Sequence, residues 1–135
     1  GNLDALIELP NLYYDLAMVN HWEVMEYAFA RVDPHKVLYG SDIPIALAPG
    51  KSVEINNSYT YITPKPWSLA ISDDHGKIPF TSFLYEELRA IKKAIDRLGL
   101  DDSYVEGLFY GNGMKLLREV MDNMKSMTAA GAVAK

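Results

Sequence analysis

The chain has 135 residues, 49% of them hydrophobic and 23% charged, a composition typical of a folded globular protein. A net charge of −5 argues against nucleic acid or an anionic membrane as the main partner, because both attract a basic face. Cysteine is absent, which excludes disulfides, thiol nucleophiles and cysteine-based zinc sites, and fits a cytoplasmic location. No apolar run approaches the roughly 20 residues of a membrane span, so we expect no membrane partner.

The first third of the chain alternates between helix and strand signals. Residues 3–9 are predicted to be the end of a helix, and residues 12–16 form a short strand rich in β-formers. A helix capped by Asn20 follows and ends at Asp33, and residues 37–44 then form a second strand. A helix between two strands favours a parallel pair, so this region predicts one β-α-β unit.

Residues 45–80 interrupt this alternation. Residues 58–63, Ser-Tyr-Thr-Tyr-Ile-Thr, have the composition of a strand, whereas proline, glycine and aspartate make much of the remainder turn-like. A segment of this length between regular elements is usually a functional loop or an inserted subdomain. We therefore predict a long insertion here.

The best-defined helix of the sequence begins after this insertion. Thr81 or Ser82 can cap its first turn, and Gly99 is placed to end it. Apolar residues at steps of four and three predict a buried face of about four turns. That face contains Leu84, Leu88, Ile91, Ile95 and Leu98.

Two more helices are predicted in the C-terminal region. Ser103 and Glu106 form a capping box for a short helix, and Asn112 can cap the last helix. Residues 128–135 are small and mostly apolar, and we expect them to be frayed. The last helix is predicted to bury a stripe made of Met114, Leu117, Met121 and Met124.

Candidate catalytic residues lie where the two predicted parallel strands end. Strand alternation places Leu38, Gly40 and Asp42 on one side, and Gly40 leaves space beside the Asp42 carboxylate. A carboxylate there can bind a cation or accept a proton from a metal-bound water. The alternative is that Asp42 caps a turn before Pro44. Asp15 ends the other strand, where it either orients a substrate or accepts a hydrogen bond from nearby backbone.

Two histidines are candidates for substrate contacts. His21 begins a helix just after a strand end, so its side chain can reach the same end of the two predicted strands. His75 lies in the inserted segment, where it either contacts a substrate or occupies a solvated turn. Tyr59, Tyr61 and Trp67 of that segment either line a pocket or form a small core of their own. The histidines lack the His-X-His and His-X-X-X-His spacings from which a metal site is predicted.

Three segments, taken together, suggest a family. They are residues 11–16 (Asn-Leu-Tyr-Tyr-Asp-Leu), residues 37–44 (Val-Leu-Tyr-Gly-Ser-Asp-Ile-Pro) and residues 108–117 (Leu-Phe-Tyr-Gly-Asn-Gly-Met-Lys-Leu-Leu). Their order and spacing resemble the seventh strand, the eighth strand and the last helix of the amidohydrolase-related family. Members of that family are metal-dependent (β/α)8-barrel enzymes.

The resemblance implies an α/β fold over residues 1–135: a partial (β/α)8 TIM barrel with its last two parallel strands, surrounding helices and a long inserted loop. It implies that Asp42 is a catalytic residue and a ligand of a divalent metal, zinc being the first choice. The implied reaction is hydrolysis or decarboxylation of a small carboxylated or cyclic molecule. Asp15, His21 and His75 are then the candidates for substrate binding.

The chain lacks other parts of the family pattern. A complete barrel has about 250 residues, and the His-X-His of the first strand has no counterpart here. We therefore expect a C-terminal portion that is inactive alone, because catalytic zinc needs three or more protein ligands. The alternative is a non-catalytic α/β protein that homo-oligomerises through strand edges and apolar helix faces. A third possibility is a protein that binds small anions at helix N-termini.

Overall fold

The computed structural model describes residues 2–56, 58–65, 70–73 and 75–133 of a mixed α/β fold that is about 50% helix. Its helices are α1 (Asn2–Leu6), α2 (Trp22–Phe29), α3 (Phe83–Leu98), α4 (Asp102–Glu106) and α5 (Asn112–Val133). Its strands are β1 (Tyr14–Asp15), β2 (Val37–Leu38), β3 (Lys51–Ile55), β4 (Ser58–Thr63) and β5 (Ala70–Ser72). Short 3-10 turns occupy Pro34–Lys36 and Ile45–Leu47, and a π-helical turn, Gly107–Gly111, joins α4 to α5.

The predicted β-α-β order is present at the start of the fold. β1 and β2 pair in parallel, with Tyr14 opposite Val37 and Asp15 opposite Leu38, and α2 lies between them in the chain. Each strand has 2 residues, so both are shorter than predicted. The strand predicted at residues 37–44 therefore ends at Leu38, well before Asp42.

Residues 45–80, predicted to be a functional loop or an inserted subdomain, contain a second sheet and are therefore not a long loop alone. Its strand order is β3-β4-β5, with β3 and β4 antiparallel and β4 and β5 parallel. The strand predicted at residues 58–63 is confirmed as β4. β3 was not predicted because Lys51 and Glu54 interrupt its apolar residues, although both side chains are exposed on the finished sheet.

α3 lies at the centre of the fold and contributes to two apolar clusters. The larger cluster joins α3 to α2 and to the β1–β2 pair, and its buried members are Leu16, Met25, Phe29, Val32, Val37, Ala90, Ile91, Ala94 and Leu108. The smaller cluster, beside the second sheet, contains Met18, Ala46 and Phe83. Burial of a large apolar side chain stabilises a fold by about 1.5–3 kcal/mol, so these contacts fix α3 against both sheets.

The predicted ends of α3 are confirmed, but its buried face is rotated. The Ser82 hydroxyl accepts a hydrogen bond from Tyr85 N at 3.2 Å, and Gly99 ends the helix with a left-handed φ of 64°. Leu88, predicted to be buried, is exposed. The buried residues of α3 are Phe83, Glu86, Glu87, Ala90, Ile91 and Ala94.

Three predicted helix caps are wrong. His21, not Asn20, precedes α2, and its side chain makes no capping hydrogen bond. Asp101, not Ser103, caps α4 by accepting a hydrogen bond from Tyr104 N at 3.0 Å. Asn112 has helical backbone angles and continues the helix instead of starting it.

The Asn112 amide has a tertiary role instead. Its Nδ2 donates to the carbonyl oxygens of Pro34 at 2.7 Å and Val37 at 2.8 Å. These bonds tie the start of α5 to β2 and to the turn before it. Because backbone carbonyls that are buried need a donor, this amide satisfies one carbonyl of β2 and one of the turn before it.

The apolar stripe predicted on α5 is largely exposed. Leu117, Met121 and Met124 have 58%, 56% and 63% of their surface accessible, whereas Met114 is half-buried. α5 continues to Val133, so the structure has helix through residues 128–133, where we expected fraying, and residues 134–135 lie outside the described part. Among the described residues, no helix has the length and apolar character needed to cross a membrane.

Candidate functional site

The end of β1 places Asp15 beside the backbone that follows β2. Its Oδ1 accepts a hydrogen bond from Ala17 N at 2.6 Å, the local backbone bond that was the alternative interpretation of this residue. The same carboxylate covers Gly40, where an added Cβ would lie 2.7 Å from Asp15 Cγ. The space beside Gly40 is therefore occupied by the Asp15 carboxylate, although we predicted that it would lie beside the Asp42 carboxylate.

Asp42 lies in a turn beyond β2. Its side chain is exposed, its φ is 51°, and its carbonyl accepts a hydrogen bond from Ala46 N at 3.0 Å. A left-handed φ is uncommon for residues other than glycine, and aspartate is among the residues that tolerate it. Strand alternation ends at Leu38, so it cannot be used to place Asp42 on the same side as Gly40.

A third carboxylate, Glu87 of α3, completes this cluster and was not predicted as a site residue. It is fully buried, and its Oε2 accepts a hydrogen bond from Met18 N at 3.2 Å. Its Oε1 has no hydrogen-bond partner in the described part of the chain. The pKa of Glu87 is raised to about 7, chiefly by burial and to a smaller extent by the charges of Asp15 and Asp42, while the hydrogen bond from Met18 N opposes the rise. The three acids therefore share one electrostatic environment.

The sequence does carry a signal for the burial of Glu87. This residue lies four positions after Phe83, three before Ala90 and four before Ile91, so it belongs to their helix face. An acid on an apolar face is a candidate for a buried functional group. The signal was missed because Glu87 also fits the preference for acids in the first turns of a helix.

The loop between β1 and α2 is held from both sides by polar contacts. Met18 has a φ of 63°, and its carbonyl accepts hydrogen bonds from Ser52 Oγ and Tyr59 OH, both at 3.1 Å. Asn20 accepts from Ser52 N at 2.8 Å and donates to Phe83 O at 3.1 Å. The loop therefore links α3, which carries Glu87, to strands β3 and β4.

A pocket of about 590 Å³ opens on the sheet side of this loop. We call it the aromatic pocket, and its lining includes Met18, His21, Val24, Glu54, Tyr59 and Tyr61. The His21 and Tyr59 ring centroids are 5.8 Å apart, and His21 Nε2 is buried without a hydrogen-bond partner in the described region. Burial raises the pKa of Tyr59. The predicted pocket residues Tyr59 and Tyr61 thus meet His21, whereas Trp67 lies outside the described residues.

His75 is separate from these groups. It is exposed in the turn after β5, where Gly76 N donates to Asp73 O at 3.2 Å. Within the described ranges no contact joins it to Asp15, Asp42 or His21. Of the four predicted site residues, Asp15 and Asp42 act electrostatically on the buried Glu87, and His21 lines the adjoining aromatic pocket.

The carboxylates fit a metal only in part. Their oxygens are ligands that divalent cations accept. However, no group of three or more His, Asp or Glu side chains in the described part of the chain is arranged to hold a metal ion. These residues supply ligands without forming a complete set.

Comparisons with models of known protein families, with curated proteins and with solved structures found no match to this chain.

Proposed function

We propose that this chain supplies the last two strands of an amidohydrolase-related enzyme, a metal-dependent hydrolase or decarboxylase of small carboxylated or cyclic molecules. One observation carries the proposal. β1 and β2 are parallel, α2 connects them, Asp15 ends β1, Asp42 lies beyond the end of β2, and the charges of both aspartates act on the buried Glu87. Enzymes with parallel barrels place their catalytic residues at this end of the strands.

In this proposal the β1–β2 pair belongs to a (β/α)8 TIM barrel whose other strands lie elsewhere in the enzyme. Asp42 is the metal ligand and the proton acceptor, and zinc is the metal we expect. Asp15 and His21 lie on the substrate side, whereas the exposed position of His75 gives it no support as a substrate contact. The chain alone is inactive, because its carboxylates lack the remaining ligands.

The decisive experiment begins with the coding sequence upstream of Gly1. A His-X-His motif about 200 residues earlier would supply the missing first strand of a barrel. In the enzyme that contains it, Asp42→Asn should lower turnover by about 100-fold or more, because a general base typically contributes that much. Circular dichroism and the melting temperature should stay unchanged.

Asp102→Asn is the matched control for this substitution, because Asp102 is also an exposed aspartate but lies at the start of α4. It should retain full turnover. Normal activity and metal content in the Asp42→Asn enzyme would reject the role of Asp42. Stoichiometric zinc on the 135-residue chain alone, measured by elemental analysis, would contradict the incomplete metal site.

A second candidate function is homo-oligomerisation by a non-catalytic α/β protein. The exposed apolar face of α5, which includes Leu117, Val120 and Met121, favours it. A second copy would bury this face. Light scattering coupled to size exclusion should then show a dimer that Met121→Lys dissociates, and a monomer at every concentration tested would exclude this candidate.

A further inference from the structure

We propose that the aromatic pocket binds a small organic cation, an ammonium group carried on an aromatic or short alkyl body, with Glu54 as its counter-charge. The inference depends on the pocket alone and not on metal-dependent hydrolysis. It uses three properties of the pocket: the arrangement of its rings, the sign of its charge and its size.

The rings form an angled wall that suits a cation. The Tyr59 and Tyr61 centroids are 5.5 Å apart with their planes at 80°, and the His21 and Tyr59 planes meet at 47°. Tyr59 and Tyr61 are in edge-to-face contact, and the inclined His21 ring extends the same aromatic surface along the pocket. The electron-rich face of a tyrosine ring attracts an ammonium group, and several rings together form the cages that recognise alkylated amines.

These rings are held in place before any ligand arrives. The Tyr59 hydroxyl donates to Met18 O at 3.1 Å, and Tyr61 packs edge-on against the buried Phe83 at 5.6 Å. A pocket whose side chains are already ordered loses less conformational entropy on binding. Preorganisation therefore favours this wall as a binding surface over a chance gap between strands.

The charge of the pocket selects a cation. Among the described residues that line the pocket, Glu54 has the one charged side chain. His21 is counted here as neutral. Glu54 is exposed and makes no salt bridge within the described ranges. Glu87 accepts a hydrogen bond from the backbone of Met18, which lines the pocket, so the ionised form of Glu87 adds negative potential there. An anionic ligand would be repelled, and a neutral one would gain nothing from Glu54.

The volume of about 590 Å³ lies within the range of roughly 300–1,000 Å³ that small-molecule sites occupy. A single-ring amine fits this space with its body against Val24 and the tyrosines. Its ammonium group then lies toward Glu54 at the rim. We therefore choose benzylammonium as the probe, with benzyl alcohol and benzoate as neutral and anionic molecules of nearly the same shape.

The test is a titration of the ¹⁵N-labelled chain with each probe at pH 7.5, followed by amide chemical shifts. Benzylammonium should bind with a Kd of about 1 mM, as expected for so few atoms, and should shift the amides of the β1–α2 loop and β4. Benzyl alcohol should bind about fivefold more weakly, and benzoate should show no saturable binding.

Two variants assign the binding to named residues. Glu54→Gln should weaken benzylammonium about fivefold, as loss of an exposed charge pair does. Tyr59→Leu should weaken it about tenfold through loss of a ring face. Glu119→Gln, an exposed glutamate on α5, is the matched control and should change nothing.

Three results would each overturn the proposal: equal affinity for the alcohol and the cation, no saturable binding of benzylammonium below about 10 mM, or equal affinities of the Glu54→Gln and Glu119→Gln variants. Glu54 is exposed, so its variant tests the idea even if Tyr59→Leu fails to fold. None of these results would test the role of Asp42 in the hydrolase proposal, which is measured separately through turnover of the Asp42→Asn enzyme.

Discussion

Replacing the buried Glu87 with glutamine should remove a specific pH dependence from the stability of the fold. Glutamine has nearly the same shape and keeps an oxygen that can accept the hydrogen bond from Met18 N. It does not titrate. The comparison of wild type and Glu87→Gln therefore isolates the ionisation of one carboxyl group, because all other groups are shared.

The sign and size of the effect follow from the pKa of Glu87, which burial raises from an ordinary 4.5 to about 7. Between these two pH values the folded protein keeps a proton that the unfolded chain has released. Unfolding then releases a proton, so the free energy of unfolding falls as the pH rises. A displacement of this size corresponds to about 3 kcal/mol, fully present as stability below pH 4.5 and lost above about pH 7.

Urea unfolding at a series of pH values between 4 and 8 measures this difference, with circular dichroism and tryptophan fluorescence checked for coincident transitions. The wild type should lose about 3 kcal/mol more than Glu87→Gln across this window, or about 10 °C in melting temperature. The exposed Glu119→Gln variant should follow the wild type. Parallel pH profiles for wild type and Glu87→Gln would refute the burial of an ionisable Glu87.

The same titration tests whether the aspartates belong to this cluster. Asp15→Asn and Asp42→Asn each remove a negative charge that raises the pKa of Glu87. Each should therefore move the pH window of Glu87 downward, with the larger movement for Asp15. If neither variant changes the pH range in which Glu87 titrates, the three acids do not share one electrostatic environment, and the grouping of Asp15 and Asp42 with Glu87 is wrong.

The remaining predictions concern contacts around β2 and the backbone on either side of it. Asn112→Ala should cost about 2–3 kcal/mol in urea unfolding, because two backbone carbonyls lose their donor, whereas the exposed Asn123→Ala on the same helix should be nearly neutral. Equal losses for the two asparagines would contradict the tertiary role of Asn112. Gly40→Ala should lower the free energy of unfolding by about 1–3 kcal/mol, because the added methyl group overlaps the Asp15 carboxylate. In a double-mutant cycle, adding Asp15→Ala should recover part of that stability. Purely additive losses would show that the two side chains do not meet.

The parts of the fold that sequence patterns predict correctly are those determined by neighbouring residues. The Ser82 cap and the Gly99 end of α3 depend on the chemistry of single residues at helix ends, and both are confirmed. The order of β1, α2 and β2 is also confirmed, because a helix between two short strand signals favours a parallel pair. The partial barrel stays a proposal, because the two strands alone do not define it.

Two of the capping errors, at Asn20 and Asn112, have a common physical cause: polar side chains that resemble local caps make tertiary bonds instead. Asn20 precedes a helix, but its amide joins Ser52 and Phe83, which lie 32 and 63 residues away. Asn112 likewise bonds to backbone that precedes it by more than 70 residues. A capping pattern considers only the next three positions, so it cannot distinguish these uses from a cap.

The second sheet was missed for a related reason. β3 gains its partner across a hairpin, and Ser52, its second residue, is buried because it meets Asn20 and Met18. A serine flanked by a lysine has no strand signal of its own. The burial of Ser52 is therefore a result of the loop after β1, so the sheet and the loop must be predicted together.

Met18 connects the cluster of acids to the aromatic pocket. Its left-handed backbone directs its N–H to Glu87 and its carbonyl to Ser52 and Tyr59, so one residue holds both groups. An ionised carboxylate accepts a stronger hydrogen bond than a neutral acid does. Ionisation of Glu87 therefore strengthens the bond to the same loop that positions Tyr59, while burial opposes that ionisation. Glu87 is thus one of the groups that hold the β1–α2 loop, together with Ser52 and Tyr59 of the second sheet.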